Sequence, residues 1–513
     1  MAEKLIELKN ISKQFPGVLA NDNISLDIEK GEIHAIVGEN GAGKSTLMKI
    51  LYGLYQPTFG EIYIKGEAVK IKTPLDAIKL GIGMVHQHFM LVPSFTVAEN
   101  IVLGVEPRKN MFFTNYNQAV KITEELSEEY GLRVDPHAKV ESLSVGIQQR
   151  IEILKVLNKG ADIIILDEPT AVLTPQETEE LFKVIRSLVD KLGKTVIIIT
   201  HKLQEVLALS DRVSVMRQGK MIGTLETKHA NEQILAEMMV GREVLFEELK
   251  RKNIAKKEVL KVRDIKARDN RGLMALKGVS FNLHSGEILG IAGVEGNGQS
   301  ELLEVLTGLR LAEEGSIIVN GVEAINKEPL EIRELGISHI PEDRLSTGLS
   351  RQATLTENMI LGFHRKEPYA IKGIHLNRKK IRERADRLIQ EYDIRTPSQD
   401  IIADNLSGGN MQKMVIAREF SFDSQILIIA QPTRGVDIGA IEFIHKEIVD
   451  KRNEGAAILL ISADLDEIFR LSDRIITLYE GEITGEFLSK EITKNEIGLY
   501  MTGKEKALKE GGR

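Results

Sequence analysis

Short apolar runs, followed by glycine, by acidic residues or by histidine, dominate the hydrophobic pattern of the chain. Residues 33–37 and 161–166 form two such runs, and a third spans residues 195–200. Runs of this length and composition are typical of buried strands in a parallel sheet. After the first run, Leu47, Ile50 and Leu51 recur at helical spacing, which predicts a helix that begins near Ser45. Strands that alternate with helices predict an α/β fold.

The pattern occurs twice along the chain, which indicates a tandem duplication. Five glycines recur 255 residues later: Gly31, Gly38, Gly60, Gly66 and Gly81 recur as Gly286, Gly293, Gly315, Gly321 and Gly336. Ser144 and Ser407 are 263 residues apart, so the second copy has gained eight residues before Ser407, which we expect in a peripheral helical region. We predict a first domain at residues 1–241, a charged linker at 242–258, a second domain at 259–502 and a tail at 503–513.

Composition narrows the class of protein. The 513 residues are 28% charged and 42% hydrophobic, which suits two domains that each bury a core. A net charge of −7 gives no reason to expect nucleic acid as a partner. We find no apolar run long enough to span a bilayer and no secretory leader at the start. The absence of cysteine favours a cytosolic compartment.

Residues 38–45 (Gly-Glu-Asn-Gly-Ala-Gly-Lys-Ser) match the phosphate-binding loop G-x-x-x-x-G-K-[ST]. The glycines turn backbone amides toward the phosphates, Lys44 reaches the outer phosphates, and the Ser45 hydroxyl binds magnesium. The motif therefore predicts ATP and Mg²⁺ as cofactors. The candidate nucleotide-binding residues here are Gly38, Glu39, Asn40, Gly41, Ala42, Gly43, Lys44, Ser45 and Thr46.

Two carboxylates follow the second apolar run. Asp167 is expected to hold the hydration shell of magnesium, and Glu168, one residue later, to polarise the water that attacks the terminal phosphate. His201 follows the third run. A single histidine at a strand end is more often solvated or part of the core, but its position after both phosphate motifs favours a functional role.

Residues 143–150 (Leu-Ser-Val-Gly-Ile-Gln-Gln-Arg) and 406–413 (Leu-Ser-Gly-Gly-Asn-Met-Gln-Lys) resemble the LSGGQ signature of ABC-type ATPases. The resemblance covers nearly the whole chain. It implies that Gln87 is the glutamine that links magnesium to the permease contact, and that His201 is the switch histidine. It also implies that Phe15 stacks on adenine, although a packing role for Phe15 is about equally compatible with the sequence. The implied magnesium ligands are Ser45, Gln87 and Asp167.

The resemblance also implies the architecture. Each tandem nucleotide-binding domain is expected to have a phosphate-loop core with a mostly parallel sheet, an antiparallel β subdomain and a helical subdomain before the signature. In this family each nucleotide lies between the phosphate loop of one domain and the signature of the other. The first-domain motifs would then act together with Ser407, Gly408 and Gly409.

The second copy lacks the catalytic side chains of the first. The replacements are Lys44 by Gln299, Gln87 by Glu342, Asp167 by Ala430, Glu168 by Gln431, and His201 by Ala463. The second copy keeps the intact signature and Asp437, whereas the first has Val145 at a glycine position and Thr174 at the position of Asp437. The sequence therefore predicts one active composite site. The alternative is a decayed second domain that is retained only for packing.

Two fused domains, with residues 341–344 (Pro-Glu-Asp-Arg) in the second, resemble the ATP-binding subunits of bacterial carbohydrate-type importers. Residues 430–435 (Ala-Gln-Pro-Thr-Arg-Gly) resemble the branch that serves nucleoside importers. The implied partners are two membrane permease subunits and an extracytoplasmic solute-binding lipoprotein. The chain itself would be a peripheral protein of the cytoplasmic face of the membrane that binds neither solute nor nucleic acid.

Three questions stay open at this level. A monosaccharide importer is the nearer functional alternative, and a soluble tandem protein acting on ribosomes or nucleic acid is the more distant one. Residues 89–93 (Phe-Met-Leu-Val-Pro) suit a groove for a membrane partner and the core of the helical subdomain about equally.

Overall fold

The computed structural model of the chain describes residues 3–16, 18–86, 89–108, 114–170, 173–241, 251–252, 257–294, 296–372 and 374–505. The chain divides into two compact units, Met1–Phe246 and Glu247–Arg513. The division falls within the predicted linker, residues 242–258, most of which lies outside the described residues. The boundaries of the linker and of the tail therefore stay predictions.

The first unit alternates strands and helices in the expected order. Its strands are β1 (Lys4–Phe15), β2 (Val18–Glu29), β3 (Ile33–Gly38), β4 (Phe59–Ile64), β5 (Glu67–Val69), β6 (Ile82–Val85), β7 (Ile163–Asp167), β8 (Thr195–Ile199), β9 (Arg212–Arg217) and β10 (Lys220–Glu226). Its helices are α1 (Lys44–Leu51), α2 (Pro74–Lys79), α3 (Val97–Ile101), α4 (Tyr116–Tyr130), α5 (Val145–Asn158), α6 (Pro175–Asp190), α7 (Leu203–Leu209) and α8 (Glu232–Val240).

A six-stranded sheet forms the centre of this unit, in the order β10-β9-β3-β8-β7-β6. All its strands are parallel except β10, which is antiparallel to β9. The three strands predicted from apolar runs are β3, β7 and β8, and every residue in them is buried. Because parallel strands end at one edge of a sheet, the segments that follow β3, β7 and β8 come together there.

Two hydrophobic cores cover the two faces of this sheet. On one face, α1 and the antiparallel sheet β2-β1-β4-β5 pack through residues such as Ile6, Leu47 and Ile165. On the other face, α5 and α6 pack through residues such as Ile151 and Ile185. Helices α3, α4 and α5, between β6 and β7, form the predicted helical subdomain.

The second unit repeats these elements. Its strands are β11 (Glu258–Arg268), β12 (Met274–His284), β13 (Ile288–Ala292), β14 (Glu314–Val319), β15 (Val322–Glu323), β16 (Ile337–Ile340), β17 (Ala370–Ile371), β18 (His375–Leu376), β19 (Ile426–Ala430), β20 (Ala457–Ser462), β21 (Arg474–Tyr479) and β22 (Glu482–Leu488). Its helices are α9 (Gln299–Leu306), α10 (Pro329–Glu334), α11 (Leu355–Ile360), α12 (Arg378–Glu391), α13 (Gly408–Phe420), α14 (Ile438–Asn453), α15 (Leu465–Leu471) and α16 (Lys494–Met501).

The sheets of the second unit have the same topology, β16-β19-β20-β13-β21-β22 for the central sheet and β12-β11-β14-β15 for the antiparallel one. The predicted fold of two α/β domains, each with an antiparallel β subdomain and a helical subdomain, is confirmed. Among the described helices, none combines the length and the apolar character needed to cross a membrane.

The eight extra residues of the second copy are not one insertion in a helical region, and that expectation was wrong. The matching helix caps Thr96 and Thr354 lie 258 residues apart, and Asn115 and Asn377 lie 262 apart. Three residues are therefore gained before α11, around a turn at Arg344–Gly348, four between α11 and α12, where β17 and β18 form a hairpin, and one between Asn377 and Ser407. The gain is divided among loops because the helices themselves pack in the core.

Candidate active site

The loop between β3 and α1 has the tight backbone of a phosphate-binding loop. Gly41 and Gly43 have φ values of 81° and 96°, in the left-handed region that favours glycine. A Cβ atom on Gly43 would lie 2.3 Å from the carbonyl oxygen of Ala20, so no larger residue fits. Turns of this kind present successive backbone amides to an anion. Ala42 is buried in this loop, and Thr46 is half-buried in the first turn of α1.

Lys44 is the first residue of α1, and its ammonium group folds back under the loop. Its Nζ donates hydrogen bonds to the carbonyl oxygens of Gly38 at 2.6 Å and Glu39 at 3.0 Å. Burial lowers the pKa of Lys44, although the carboxylates of Glu168, Asp167 and Glu39 act in the opposite direction. The loop thus holds a poorly solvated cation where the outer phosphates of a nucleotide are expected.

Ser45 and Asp167 come together from α1 and the end of β7. The Ser45 hydroxyl donates to Oδ1 of Asp167 at 3.3 Å. Burial, and secondly the charge of Glu168, raise the pKa of Asp167. The negative charge of Asp167 is not neutralised by the neighbouring hydroxyl and carboxylate. These oxygen atoms are hard donors, which suit a small divalent cation.

Glu168 and His201 are in contact, as their predicted roles require. Nδ1 of His201 lies 3.0 Å from Oε1 of Glu168. This hydrogen bond is the main reason why the pKa of Glu168 lies below its usual value, with burial acting in the opposite direction. Glu168 remains charged and is the acceptor, so His201 donates from Nδ1. The carboxylate is therefore held in the state that a general base needs.

The roles predicted for Gln87 and Phe15 are not tested by the structure. Gln87 lies outside the described residues, so its catalytic and magnesium roles stay predictions. Phe15 is the last residue of β1 and is half-buried, with its ring edge-to-face to Tyr55 at 5.4 Å. Nζ of Lys13 lies 5.1 Å from the centre of the Phe15 ring. Adenine stacking on Phe15 is compatible with this partial exposure and also stays a prediction.

The matching loop of the second unit is filled by its own side chain. Nε2 of Gln299 donates to the carbonyl oxygen of Val294 at 3.0 Å, and its Oε1 accepts from the backbone amide of Asn297 at 3.2 Å. Gln431 likewise uses Oε1 to accept from the amide of Ala463 at 3.2 Å, where the first unit has the contact between Glu168 and His201. Neutral hydrogen bonds of Gln299 and Gln431 thus stand where the first unit has the charged contacts of Lys44 and Glu168.

The space left beside this second loop is small. A cavity of about 20 Å³ lies among Gln299, Ser300, Glu342 and Gln431, which is room for about one water molecule. Ser300 donates from Oγ to Oε2 of Glu342 at 2.7 Å, so its hydroxyl is already engaged. The second loop is thus closed around its own side chains.

The family model described as ABC transporter matches residues 21–171 and 276–434, one segment in each unit. The chain belongs to the ABC transporter family. As a member of this family it binds ATP and hydrolyses it. The matched segments contain both phosphate loops and both signatures, so the resemblance predicted from these motifs is confirmed.

Three relatives are similar over nearly their whole length. The guanosine import ATP-binding protein NupO of Bacillus subtilis is 50% identical over 100% of this chain and 99% of its own. The nucleoside import ATP-binding protein NupA of Lactococcus lactis is 47% identical over 98% of both chains. The glucose import ATP-binding protein TsgD13 of Haloferax volcanii is 45% identical over 98% of this chain and 96% of its own.

The two ABC signatures differ in geometry as well as in sequence. In the second unit Ser407 caps α13, and its Oγ accepts from the backbone amide of Asn410 at 3.4 Å and from Nδ2 of Asn410 at 2.9 Å. A Cβ on Gly409 would lie 2.8 Å from Oδ2 of Asp437, so a larger residue would displace the Asp437 carboxylate. In the first unit Ser144 makes no such side-chain cap.

Sequence reasoning noted Arg344 only as part of a family motif, and the structure gives it a place beside the second signature. Its guanidinium donates to the carbonyl oxygens of Arg434 and, at 3.1 Å, of Gly435. A Cβ on Gly408 would lie 2.9 Å from Nη2 of Arg344, so the guanidinium packs directly on the signature. Only the folded contact reveals this role, because residues 344 and 408 are far apart in sequence.

Tyr55 is a second residue that sequence reasoning missed. In the second unit the position of Tyr55 is taken by Arg310, whose Nη2 donates to Oδ1 of Asn270 at 2.8 Å. The pairing registers of β1 and β11 match Phe15 with Asp269, so the second unit keeps neither aromatic side chain. Comparison of the two copies could have revealed the loss of both aromatic residues.

Proposed function

We propose that this chain is the energy-coupling ATPase of an ABC importer whose solutes are nucleosides, with one hydrolytic site. The observation that carries the proposal is the division of chemistry between the copies. The first unit brings Lys44, Ser45, Asp167, Glu168 and His201 together, whereas the second has Gln299 and Gln431 in neutral hydrogen bonds to the backbone. Random decay of the second copy would also have damaged its signature.

We propose that the second signature completes the binding site of the nucleotide held by the first phosphate loop. Its contributing residues would be Ser407, Gly408 and Gly409. The cap geometry supports this, because Ser407 stands at the start of a thirteen-residue helix whose first amides favour an anion. Gly408 and Gly409 are held by Arg344 and Asp437 on either side. The degenerate signature around Val145 has no comparable serine cap.

Magnesium would be held by the Ser45 hydroxyl and, through its hydration shell, by Asp167, with Gln87 as the third predicted ligand. When bound, the ion supplies positive charge to the phosphates and to the buried carboxylates. Glu168 would take a proton from the attacking water, and His201 holds the Glu168 carboxylate in position. Lys44 would exchange its carbonyl partners for phosphate oxygens.

A cleft at the junction of core and helical subdomain supports docking of a membrane permease. It has a volume of about 150 Å³ and is lined by His86, Met90, Glu152 and Lys155 among others. The Met90 backbone is fixed by a 2.6 Å bond from its amide to Glu152 and a 2.6 Å bond from Lys155 to its carbonyl, while its side chain is 60% exposed. Leu91 instead packs against the core. Within the 89–93 segment Leu91 therefore belongs to the core, and the exposed side chain of Met90 is proposed to contact the permease.

Nucleosides are proposed over sugars because two of the relatives described above carry nucleoside or guanosine import in their names. The glucose importer relative, at 45% identity, keeps a sugar importer as the alternative. The partners would be two permease subunits and an extracytoplasmic lipoprotein receptor, with this chain peripheral on the cytoplasmic face. No solute or nucleic acid is expected to bind the chain itself.

The test is transport by the complete complex. The chain is purified with its permease subunits, reconstituted in liposomes with ATP on its own side, and supplied with the receptor. We expect the wild-type complex to take up labelled guanosine or uridine but not labelled glucose or ribose. The Glu168→Gln complex should take up none of them. Uptake of glucose or ribose in place of nucleosides would assign the sugar alternative.

Two results would overturn the importer assignment itself. Solute uptake by the isolated chain in liposomes would contradict the separation between ATPase and permease. Co-purification with ribosomes, without any membrane subunit, would instead support the soluble alternative that acts on ribosomes or nucleic acid.

A further inference from the structure

A short hairpin projects from the helical subdomain of the second unit, between α11 and α12. We call it the basic hairpin and define it as residues 364–372 and 374–380. Its strands β17 and β18 pair Ala370 with Leu376 and Ile371 with His375. The four residues that the second copy gains between α11 and α12 lie in this segment.

The base of the basic hairpin is firmly anchored. The rings of Phe363 and Phe422 are stacked at 3.8 Å, and the Arg384 guanidinium lies 3.7 Å from the centre of the Phe363 ring. Tyr369 packs edge-on against Phe363 at 6.0 Å, and Ala370 is buried. The outer part of the hairpin is therefore presented in a fixed orientation, which lowers the entropy cost of binding a partner.

The outer part exposes apolar side chains that the fold does not use. Ile371 is 55% exposed, Ile374 78% and Leu376 53%. Isolated exposed aliphatic residues are common, but these three surround the end of one anchored hairpin, with Ile371 and Leu376 on opposite faces and Ile374 between them in the chain, an arrangement that suits contact through the end of the hairpin.

The same segment is strongly cationic. It contains six lysine and arginine residues and one glutamate: Arg365, Lys366, Lys372, Arg378, Lys379, Lys380 and Glu367. Of the six cations, only Lys380 has a carboxylate within ion-pair distance in the described part of the chain, Glu383 at 2.8 Å. The patch therefore combines aliphatic tips with unneutralised positive charge.

We propose that the basic hairpin binds the surface of an anionic phospholipid bilayer, with Ile371, Ile374 and Leu376 in the interfacial layer. Clusters of four to eight lysine and arginine residues are attracted to the negative cytoplasmic leaflet, and exposed aliphatic side chains add apolar burial. A permease loop is a poorer partner, because cytoplasmic loops of membrane proteins carry an excess of positive charge and would repel this segment. The inference rests on the proposed function only in placing the chain near a membrane.

The test is flotation of the full chain with vesicles of phosphatidylcholine alone or mixed with phosphatidylglycerol, without ATP or other proteins. We expect binding to the anionic vesicles only, weakened by salt. Ile374→Ser should weaken binding about tenfold, and each charge removed by Lys372→Gln or Arg378→Gln about fivefold. The matched control is Leu330→Ser on α10, a leucine 57% exposed outside the hairpin, which should bind as the wild type does.

Three results would overturn the proposal. They are the absence of binding to anionic vesicles, equal binding to neutral vesicles, and equal losses for Ile374→Ser and Leu330→Ser. Binding that appears only when the vesicles contain permease subunits would assign the hairpin to a protein partner. ATP turnover of each variant is measured in parallel. Because vesicle binding needs no ATP, failure of the importer assignment would leave this result unaffected.

Discussion

The backbone conformation of Glu168 and the pKa of its carboxyl group have separate causes. Its φ of 49° is unusual for a residue with a side chain, and such strain often marks functional sites. Gln431 has the matching φ of 46°, although its domain has lost the catalytic groups. The strain therefore belongs to the turn after the strand, whereas the lowered pKa of Glu168 belongs to its contact with His201.

Replacement of Glu168 by glutamine removes the proposed base and keeps the size of the side chain. We expect ATP turnover to fall by about 10²- to 10⁴-fold, while ATP remains bound and uncleaved. Single-turnover hydrolysis and retention of labelled ATP measure the two effects. Unchanged turnover would contradict the assignment of the base.

The reverse change at the matching position, Gln431→Glu, is the control. We expect no gain in turnover, because Gln299, Ala430 and Ala463 still lack the other groups of a catalytic site. An increase above wild type would mean that the second site is one substitution from activity, which its closed loop contradicts.

The contact between His201 and Glu168 predicts a pH effect. The hydrogen bond from His201 is the largest influence that lowers the pKa of Glu168, and burial raises it, so loss of the bond in His201→Ala raises the pKa even though the charges of Lys44 and Lys202 remain. Since the base works only when it is deprotonated, the acidic limb of the turnover profile should move to higher pH. His201→Gln, whose amide can still donate to the carboxylate, should shift that limb less. Equal profiles for all three proteins would contradict this role.

At the scale of elements, apolar runs were enough to predict β3, β7, β8 and the start of α1, because strands buried on both faces carry uninterrupted apolar residues. The positions of the gained residues were not predictable from glycine spacing. Spacing gives only the total between two landmarks, whereas the caps Thr354 and Asn377 show where each helix begins. The hairpin β17–β18 has strands of two residues, which are too short to give a periodic signal.

Arg344 joins two loops of the second unit, and its removal tests that link. Lysine keeps the charge but lacks the planar fork that donates to both carbonyls. We expect Arg344→Lys to loosen residues 434–435 and the signature, with amide hydrogen exchange there faster by about tenfold. Turnover should fall while the affinity for ATP stays unchanged, because the hydrogen bonds that Arg344 donates hold residues of the second unit and the phosphate loop of the first unit keeps its sequence.

The same substitution at an exposed position gives the control. Arg351 forms an ion pair with Asp404 at 2.9 Å on the surface of the second unit, and such pairs contribute little to stability. Arg351→Lys should leave both hydrogen exchange of the signature and turnover at wild-type values. Equal effects of the two substitutions would deny Arg344 a specific role.

At the scale of the whole molecule, the residues of the first site were predictable from sequence because each stands directly after a buried strand or in a fixed motif. The electrostatic details were not, since burial and neighbouring charges act in opposite directions on Lys44 and Glu168. The aromatic pair of Phe15 and Tyr55 and the position of Arg344 depend on contacts between distant segments. Spacing along the chain does not encode such contacts.

The asymmetry between the two copies predicts which of the two signatures is needed for ATP hydrolysis. If the second signature serves the first nucleotide, a bulky cation at its capping serine should stop hydrolysis without touching the phosphate loop. We expect Ser407→Arg to reduce turnover of the complete complex by at least 10²-fold, while ATP binding by the first unit persists. Nucleotide stoichiometry and turnover, measured on the same preparation, separate the two effects.

Ser144→Arg is the matched control for this prediction, because it places the same residue in the degenerate signature, where the serine makes no cap. Its turnover should remain within about twofold of wild type, since the site it would serve already lacks its lysine and carboxylates. If Ser407→Arg and Ser144→Arg lower turnover equally, the copies contribute alike and the single-site assignment fails. If neither lowers it, the second copy serves packing alone. Loss of turnover in Ser407→Arg alone would show that the intact signature of the second copy acts together with the intact catalytic motifs of the first.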